Sequence, residues 1–282
     1  MVVIFLHIPK TAGTTLLKII NQNYDKRSVC SIYPKPGEKT LEIFKSLSEA
    51  RKRKIMFLSG HFLFGIHELL PFPSTYITFL RDPVDRVISF YHFILRNPKH
   101  YLHNKVKSRK MGLEEFIQSN ITNETFNEQT ALIAGSKKGV NRLEIAKENI
   151  RNNFSFIGFT EMFDESLMLL KRTLGWGNVF YTRENVARNR PVKERISGGT
   201  AKLIEEKNMR DIELYKYARG LFEEKIREQG TTFTEEITRF ESLNSRCNKI
   251  LSPFNRIPFP SNLKWKIEGL ITKGFSKIYY RT

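Results

Sequence analysis

Lys10, His61, Arg81 and Ser89 are the residues of this 282-residue chain whose types and settings point to chemistry. Lysine, arginine and serine hold phosphate-like anions, and a histidine takes up a proton near neutral pH. Lys10 lies in Phe5-Leu-His-Ile-Pro-Lys-Thr-Ala-Gly-Thr-Thr15, between the apolar start Val2-Val-Ile-Phe-Leu6 and the run Leu16-Leu-Lys-Ile-Ile20. The pattern predicts a buried strand, a tight loop and a helix start, which turns backbone amides and a positive dipole end toward an anion. Lys10, Thr11, Ala12, Gly13, Thr14 and Thr15 are the candidates for that site: the threonines supply hydroxyls and amides, and Gly13 lets the backbone approach closely. The competing reading is an ordinary strand-to-helix turn capped by threonine.

The loop matches neither common nucleotide motif. Walker A needs a lysine opening the helix after its second glycine, whereas Lys10 precedes Gly13, and no Gly-x-Gly-x-x-Gly follows the first strand. A second apolar run, Thr75-Tyr-Ile-Thr-Phe-Leu80, leads straight into Arg81-Asp-Pro-Val-Asp-Arg-Val-Ile-Ser-Phe-Tyr91. Asp82 is a natural N-cap and Pro83 a natural first helical residue. Val84, Val87, Ile88, Tyr91 and Leu95 share one face and are expected to be buried; Asp85, Ser89, His92 and Arg96 lie on the other, so Ser89 is expected to turn away from the core. Arg81 stands at a strand end, where ligands of open α/β sheets gather; pairing with Asp85 is the alternative. Between the two loops, the short run Ile55-Met-Phe-Leu58 ends in Ser59-Gly-His61, which makes His61 the candidate general base, with His67 second.

Taken together, these segments resemble the carbohydrate sulfotransferases that use 3'-phosphoadenosine 5'-phosphosulfate (PAPS), in the branch that includes the heparan sulfate 2-O-sulfotransferases, with a bacterial-type member expected. The resemblance implies a P-loop-like sulfotransferase fold. It also implies that Pro-Lys-Thr-x-Gly-Thr-Thr is the 5'-phosphosulfate loop, that Arg81 and Ser89 grip the 3'-phosphate, and that His61 is the catalytic base. Sulfuryl transfer depends on alignment and on stabilising charge at the leaving oxygen, the role that falls to Lys10, and this scheme needs no metal. Phe126–Gly135, Ile157–Leu167 and Asp211–Ala218 also look like segments of this family, with Asn127 and Gln129 either facing the cleft or capping a helix. Tyr181–Pro191 matches in position a late basic loop, which makes Arg188 and Arg190 candidates for the nucleotide. A P-loop kinase and a non-catalytic polyanion-binding protein remain the alternatives; a kinase should bind ATP with magnesium, and a polyanion binder would explain the charge without the loops.

The elements that must position these groups follow from the apolar runs. Val2–Leu6, Ile55–Leu58, Tyr76–Leu80, Phe156–Phe159 and Val179–Tyr181 are the strand candidates, with helical patterns between them, so a mainly parallel sheet flanked by helices is expected. Because Lys10 and Arg81 would share one ligand, residues 1–240 read as one α/β domain and 241–282 as a basic aromatic extension, in which Pro253, Pro258 and Pro260 break helix. Lysine and arginine number 47 against 29 acidic residues, a formal charge of +18 that suits polyanionic partners. An acidic or neutral saccharide is the expected acceptor, with no specific nucleic acid; the extension, carrying Trp265, Phe275, Tyr279 and Tyr280 among lysines, could lie on an anionic membrane or pack back on the domain. His100 and His103 lack further convergent ligands, so no metal site is expected. Cys30 and Cys247 do not indicate a disulfide framework. With no signal peptide or anchor before the first strand, the protein is expected in the cytoplasm, or in the Golgi lumen if an N-terminal anchor has been removed.

Overall fold

The computed structural model describes residues 1–33, 40–136, 141–182, 196–256 and 261–281. Five strands, β1 (Val2–Leu6), β2 (Val29–Ile32), β3 (Phe57–Gly60), β4 (Ser74–Leu80) and β5 (Phe154–Phe159), form an all-parallel sheet in the order β2-β3-β1-β4-β5. Every residue of β1 is buried, as a continuous apolar run requires of a central strand covered on both faces. The chain order reverses beside β1, which pairs with β3 on one edge and β4 on the other, so the loops leaving these three strands converge at one end of the sheet.

Helices pack around this sheet. α1 (Gly13–Asn23) follows β1, α2 (Thr40–Lys45) and α3 (Glu49–Lys52) lead toward β3, and α4 (Pro83–Arg96) leaves β4. Helices α5 (His103–Ser108), α6 (Leu113–Gln118), α7 (Glu128–Ala134) and α8 (Arg142–Asn153) fill the crossover to β5, and α9 (Phe163–Leu174) follows it. Beyond these come α10 (Gly198–Lys207), α11 (Met209–Glu228), α12 (Thr231–Arg256) and α13 (Ser261–Arg281). A main core surrounds the sheet, and a second cluster, including Val87, Phe90, Ile94, Val106, Phe116 and Ile204, joins α4, α5, α6 and α10.

Three expectations are corrected. Val179–Tyr181 is buried but joins no strand, because side-chain amides take the place of a ladder: Asn244 Oδ1 accepts from Tyr181 N at 3.1 Å, and Asn248 Nδ2 donates to Tyr181 O at 2.9 Å. Ser89 is only 4% exposed, since burial extends around most of α4 rather than along one stripe. Helix α12 continues past Pro253 to Arg256; the proline stands in the last turn, where its missing amide removes little of the ladder. The same helix crosses residue 240 unbroken, and Phe240, Leu243, Cys247 and Leu251 belong to the main core. From α13, Phe275 and Tyr279 pack on Phe180 with ring centroids 5.9 and 6.3 Å away. Cys30 and Cys247 are free and buried. Among the described residues, no helix is long and apolar enough to cross a membrane.

Candidate active site

The loop after β1 is shaped by two residues in the left-handed region, Lys10 (φ 73°) and Ala12 (φ 61°). That alternation curls the backbone so that successive amides face inward, the geometry of an anion-binding nest. Ala12 is the N-cap of α1 and makes no side-chain cap bond. Its carbonyl accepts from Thr15 N (3.1 Å) and Leu16 N (3.3 Å), so the amides of Gly13 and Thr14 lead the helix toward whatever lies beyond its start. Thr11 is 1% exposed and its hydroxyl donates to Ile8 O at 2.8 Å, which commits it to the loop itself; Thr14 is exposed and Thr15 buried.

Gly13 has a different reason from the one its motif suggests. A Cβ there would overlap the imidazole of His7, whose ring fills the space beside the helix start. Gly13→Ala is therefore expected to cost roughly 1–3 kcal/mol of stability. In a His7→Ala background, the same substitution should cost much less in denaturant unfolding. Equal costs in both backgrounds would show that the ring is not the obstacle.

His7 was not singled out by the sequence, although it stands immediately after a strand in the same way as His61. In-register pairing of Leu6 with Gly60 sets the two histidines side by side. His61 Nδ1 lies 2.7 Å from the His7 carbonyl, which can only accept, so Nδ1 carries the proton and Nε2 the lone pair. The rings are 4.5 Å apart, and His7 Nδ1 is 2.9 Å from the hydroxyl of Tyr33. Burial lowers the pKa of His61 below its usual value, opposed by the His7 carbonyl and by the charge of Glu124. Burial, then the neighbouring His61, then Lys10 hold His7 well below its usual value. Both imidazoles are thus neutral at pH 7. His67, the second candidate, is held by Tyr76, with Nδ1 2.8 Å from that hydroxyl.

Arg81 leaves the end of β4 and is 3% exposed. Its guanidinium Nη1 donates to Lys10 O at 3.3 Å, tying the two expected anion sites together. The Gln129 side chain clamps the Arg81 backbone, accepting from its amide at 3.0 Å and donating to its carbonyl at 2.9 Å. Gln129 therefore positions Arg81. Asn127 instead latches the chain to the start of α11, donating from Nδ2 to Lys207 O and accepting from Asp211 N. Lys10 Nζ sits 4.0 Å from the ring centroid of Phe93 on α4. Ser89 is one turn before Phe93, so it lies on the helix stripe that meets the loop. Arg188 and Arg190 lie outside the described residues.

Sequence reasoning also missed Arg86, which is fully buried on α4. Its Nη2 donates to the carbonyl of Glu124 at 2.7 Å, while Nε and Nη1 meet no hydrogen-bond partner among the described residues. Beside it, burial pushes Glu128 up to about 7 against the pull of Arg86. A carboxyl whose folded pKa is raised binds a proton that the unfolded chain has released, so stability falls as pH rises from about 4.5 to about 7. Glu128→Gln should match the parent near pH 4 and exceed it by roughly 1–3 kcal/mol at pH 8. Chemical denaturation at both pH values checks this; a difference independent of pH would contradict it.

A donor-lined helix start, a buried arginine and a neutral histidine, gathered at the carboxyl ends of adjacent parallel strands, define a P-loop-like α/β protein. Within that class, the chain belongs to the galactose-3-O-sulfotransferase family, whose model matches residues 1–252. Heparan-sulfate 6-O-sulfotransferase 2 of Danio rerio is 27% identical over 279 residues, covering 78% of this chain and 58% of that protein. Galactosylceramide sulfotransferase of Homo sapiens is 26% identical over 275 residues, covering 88% of this chain and 63% of that protein. The chain thus spans less than two thirds of the length of these relatives. The solved structure of mouse sulfotransferase SULT7A1 complexed with PAP matches with a TM-score of 0.36 at 17% identity, over 73% of this chain and 65% of that one. The resemblance read from the motifs holds at the level of carbohydrate sulfotransferases; the 2-O branch is finer than these matches reach.

Proposed function

We propose that the chain transfers a sulfuryl group from PAPS to a hydroxyl of a saccharide. The observation that carries this reading is the meeting of the Lys10 loop, Arg81 and His61 at the ends of three adjacent strands, with His61 fixed by the carbonyl of His7. PAPS fits the residues present: the left-handed turns at Lys10 and Ala12 and the uncapped start of α1 suit one phosphate, and buried Arg81 with Ser89 suits a second. When bound, PAPS supplies the sulfuryl group, its 5' end on the Lys10 loop. His61 Nε2 accepts the acceptor's hydroxyl proton, and Lys10 with the loop amides counters charge on the leaving oxygen. Gln129 holds Arg81 at its station.

His61 also borders a cavity of about 810 Å³, whose lining includes Phe62, Phe64, Glu68, Glu148 and Asn149. Aromatic faces and side-chain amides and carboxylates suit sugar rings and their hydroxyls. Among the described lining residues two carboxylates stand against one lysine, Lys45, a balance that favours a neutral saccharide there over an acidic one.

Calorimetry with 3'-phosphoadenosine 5'-phosphate, ATP with magnesium, and heparin separates the classes. Binding of the first, weakened roughly ten- to hundredfold by Arg81→Ala, is the expected result. Magnesium-dependent ATP binding would favour a kinase, and heparin binding alone a polyanion binder. Incubation with sulfur-labelled PAPS and a panel of neutral glycans, acidic glycans and glycolipids then identifies the acceptor.

A further inference from the structure

The two faces of α13 have opposite characters. On the inner side, Glu268 is 8% exposed and accepts from Lys18 Nζ of α1 at 3.1 Å. Thr272 donates to the carbonyl of Glu268, and Phe275 and Tyr279 pack on Phe180. At 100° per residue, Lys266, Leu270, Lys273, Lys277 and Tyr280 fall together on the opposite side, and all five are exposed. Leu270 is 72% exposed and Tyr280 57%. Glu268 is the sole acidic residue of α13, and it points inward, so the outer face alternates cations and apolar groups with no carboxylate of its own. Tyr280 also donates to Trp176 O at 3.3 Å and stacks near Lys171 Nζ, which fastens this face to the body of the protein.

We infer that the outer face of α13 docks the protein on the surface of an anionic phospholipid membrane. An acidic glycan would match the lysines but leave Leu270 in water. The headgroup region of a bilayer answers both: lipid phosphates and carboxylates meet the ammonium groups, while the leucine and the lysine stems enter the boundary with the acyl chains. The tyrosine ring suits the same depth. Each lysine near such a surface contributes about a fivefold gain in affinity, and the attraction weakens as salt rises.

The test is co-sedimentation of the full chain with vesicles of phosphatidylcholine alone or mixed with phosphatidylserine, beside binding to immobilised heparin. Expected are binding to the mixed vesicles only, a loss of at least about tenfold in Lys273→Glu/Lys277→Glu, and a severalfold loss in Leu270→Ser. Leu270→Ser keeps the net charge, so its heparin binding should match the parent. All three positions are exposed, and unchanged thermal unfolding verifies that the variants fold. Vesicle binding that ignores these substitutions, no preference for the anionic lipid, or a double-lysine effect with Leu270→Ser indistinguishable from the parent would each overturn the inference. The last of these would identify a plain polyanion surface.

Discussion

Replacing His61 by alanine is expected to lower kcat by roughly two to four orders of magnitude, with the affinity for 3'-phosphoadenosine 5'-phosphate retained. The expectation rests on the tautomer. Because the carbonyl of His7, 2.7 Å away, can only accept, the proton of neutral His61 stays on Nδ1, which makes Nε2 the nitrogen that would take another. Burial lowers the pKa of His61, so the base form persists where a free imidazole would already be half protonated. The nearby charge of Glu124 acts in the opposite sense and steadies the imidazolium once it forms. His61→Asn separates the two roles: its amide can still donate to the His7 carbonyl, yet it has no usable base, so its kcat should fall as far as that of the alanine variant. Turnover should be flat from pH 7 to 8 and fall on the acid side, with the midpoint below 6.5. The histidines' own contribution to stability should follow the same direction, since protonation of the lowered groups His7 and His61 favours the unfolded chain; that contribution is lost as pH falls below about 6.5, opposite in sign to the one from Glu128. Undiminished transfer by His61→Ala would move the base to another residue.

The strands that carry the site were legible because they are continuous apolar runs, and a run such as Val2–Leu6 can be satisfied only in a sheet buried on both faces. The loop residues after β1 and β4 were legible for a related reason: Pro83 and Asp82 mark a helix start locally, and the structure shows Asp82 accepting from Asp85 N as a cap. Contacts between distant residues leave no such local trace. Gln129 clamps Arg81 from 48 positions away, and the His7 carbonyl meets a ring 54 positions on. Their sequence neighbourhoods contain only a helix start and a strand end. β2 is short, with Ser31 exposed, and gives neither alternation nor a long apolar run. Burial of Arg86 and Ser89 follows from a second core laid over α4 by α5, α6 and α10, and the periodicity of α4 alone predicts one buried face rather than two. Val179–Tyr181 has the composition of a strand, and only the asparagines supplied by α12 show why it is not one.

Lys10→Ala is expected to reduce kcat by roughly two to three orders of magnitude while changing nucleotide affinity far less, because a charge that develops at the leaving oxygen draws more from an ammonium than the ground state does. Lys10 also occupies the left-handed region at φ 73°, a conformation that costs a residue with a Cβ roughly 1 kcal/mol and a glycine almost nothing. Lys10→Gly therefore separates backbone from charge: it should unfold at the same or slightly higher denaturant concentration than the parent and be as inactive as the alanine variant. Phe93 provides the complementary control. Its ring lies 4.0 Å from the ammonium and holds it by a cation–π contact of about 1 kcal/mol, so Phe93→Leu should cost less than about tenfold in kcat. In the Lys10→Ala background, Phe93→Leu should then have little further effect, because the group it steers is gone. Full additivity of the two substitutions would mean that Phe93 acts on something other than Lys10, and a glycine variant with near-parental kcat would remove the ammonium from the chemistry altogether.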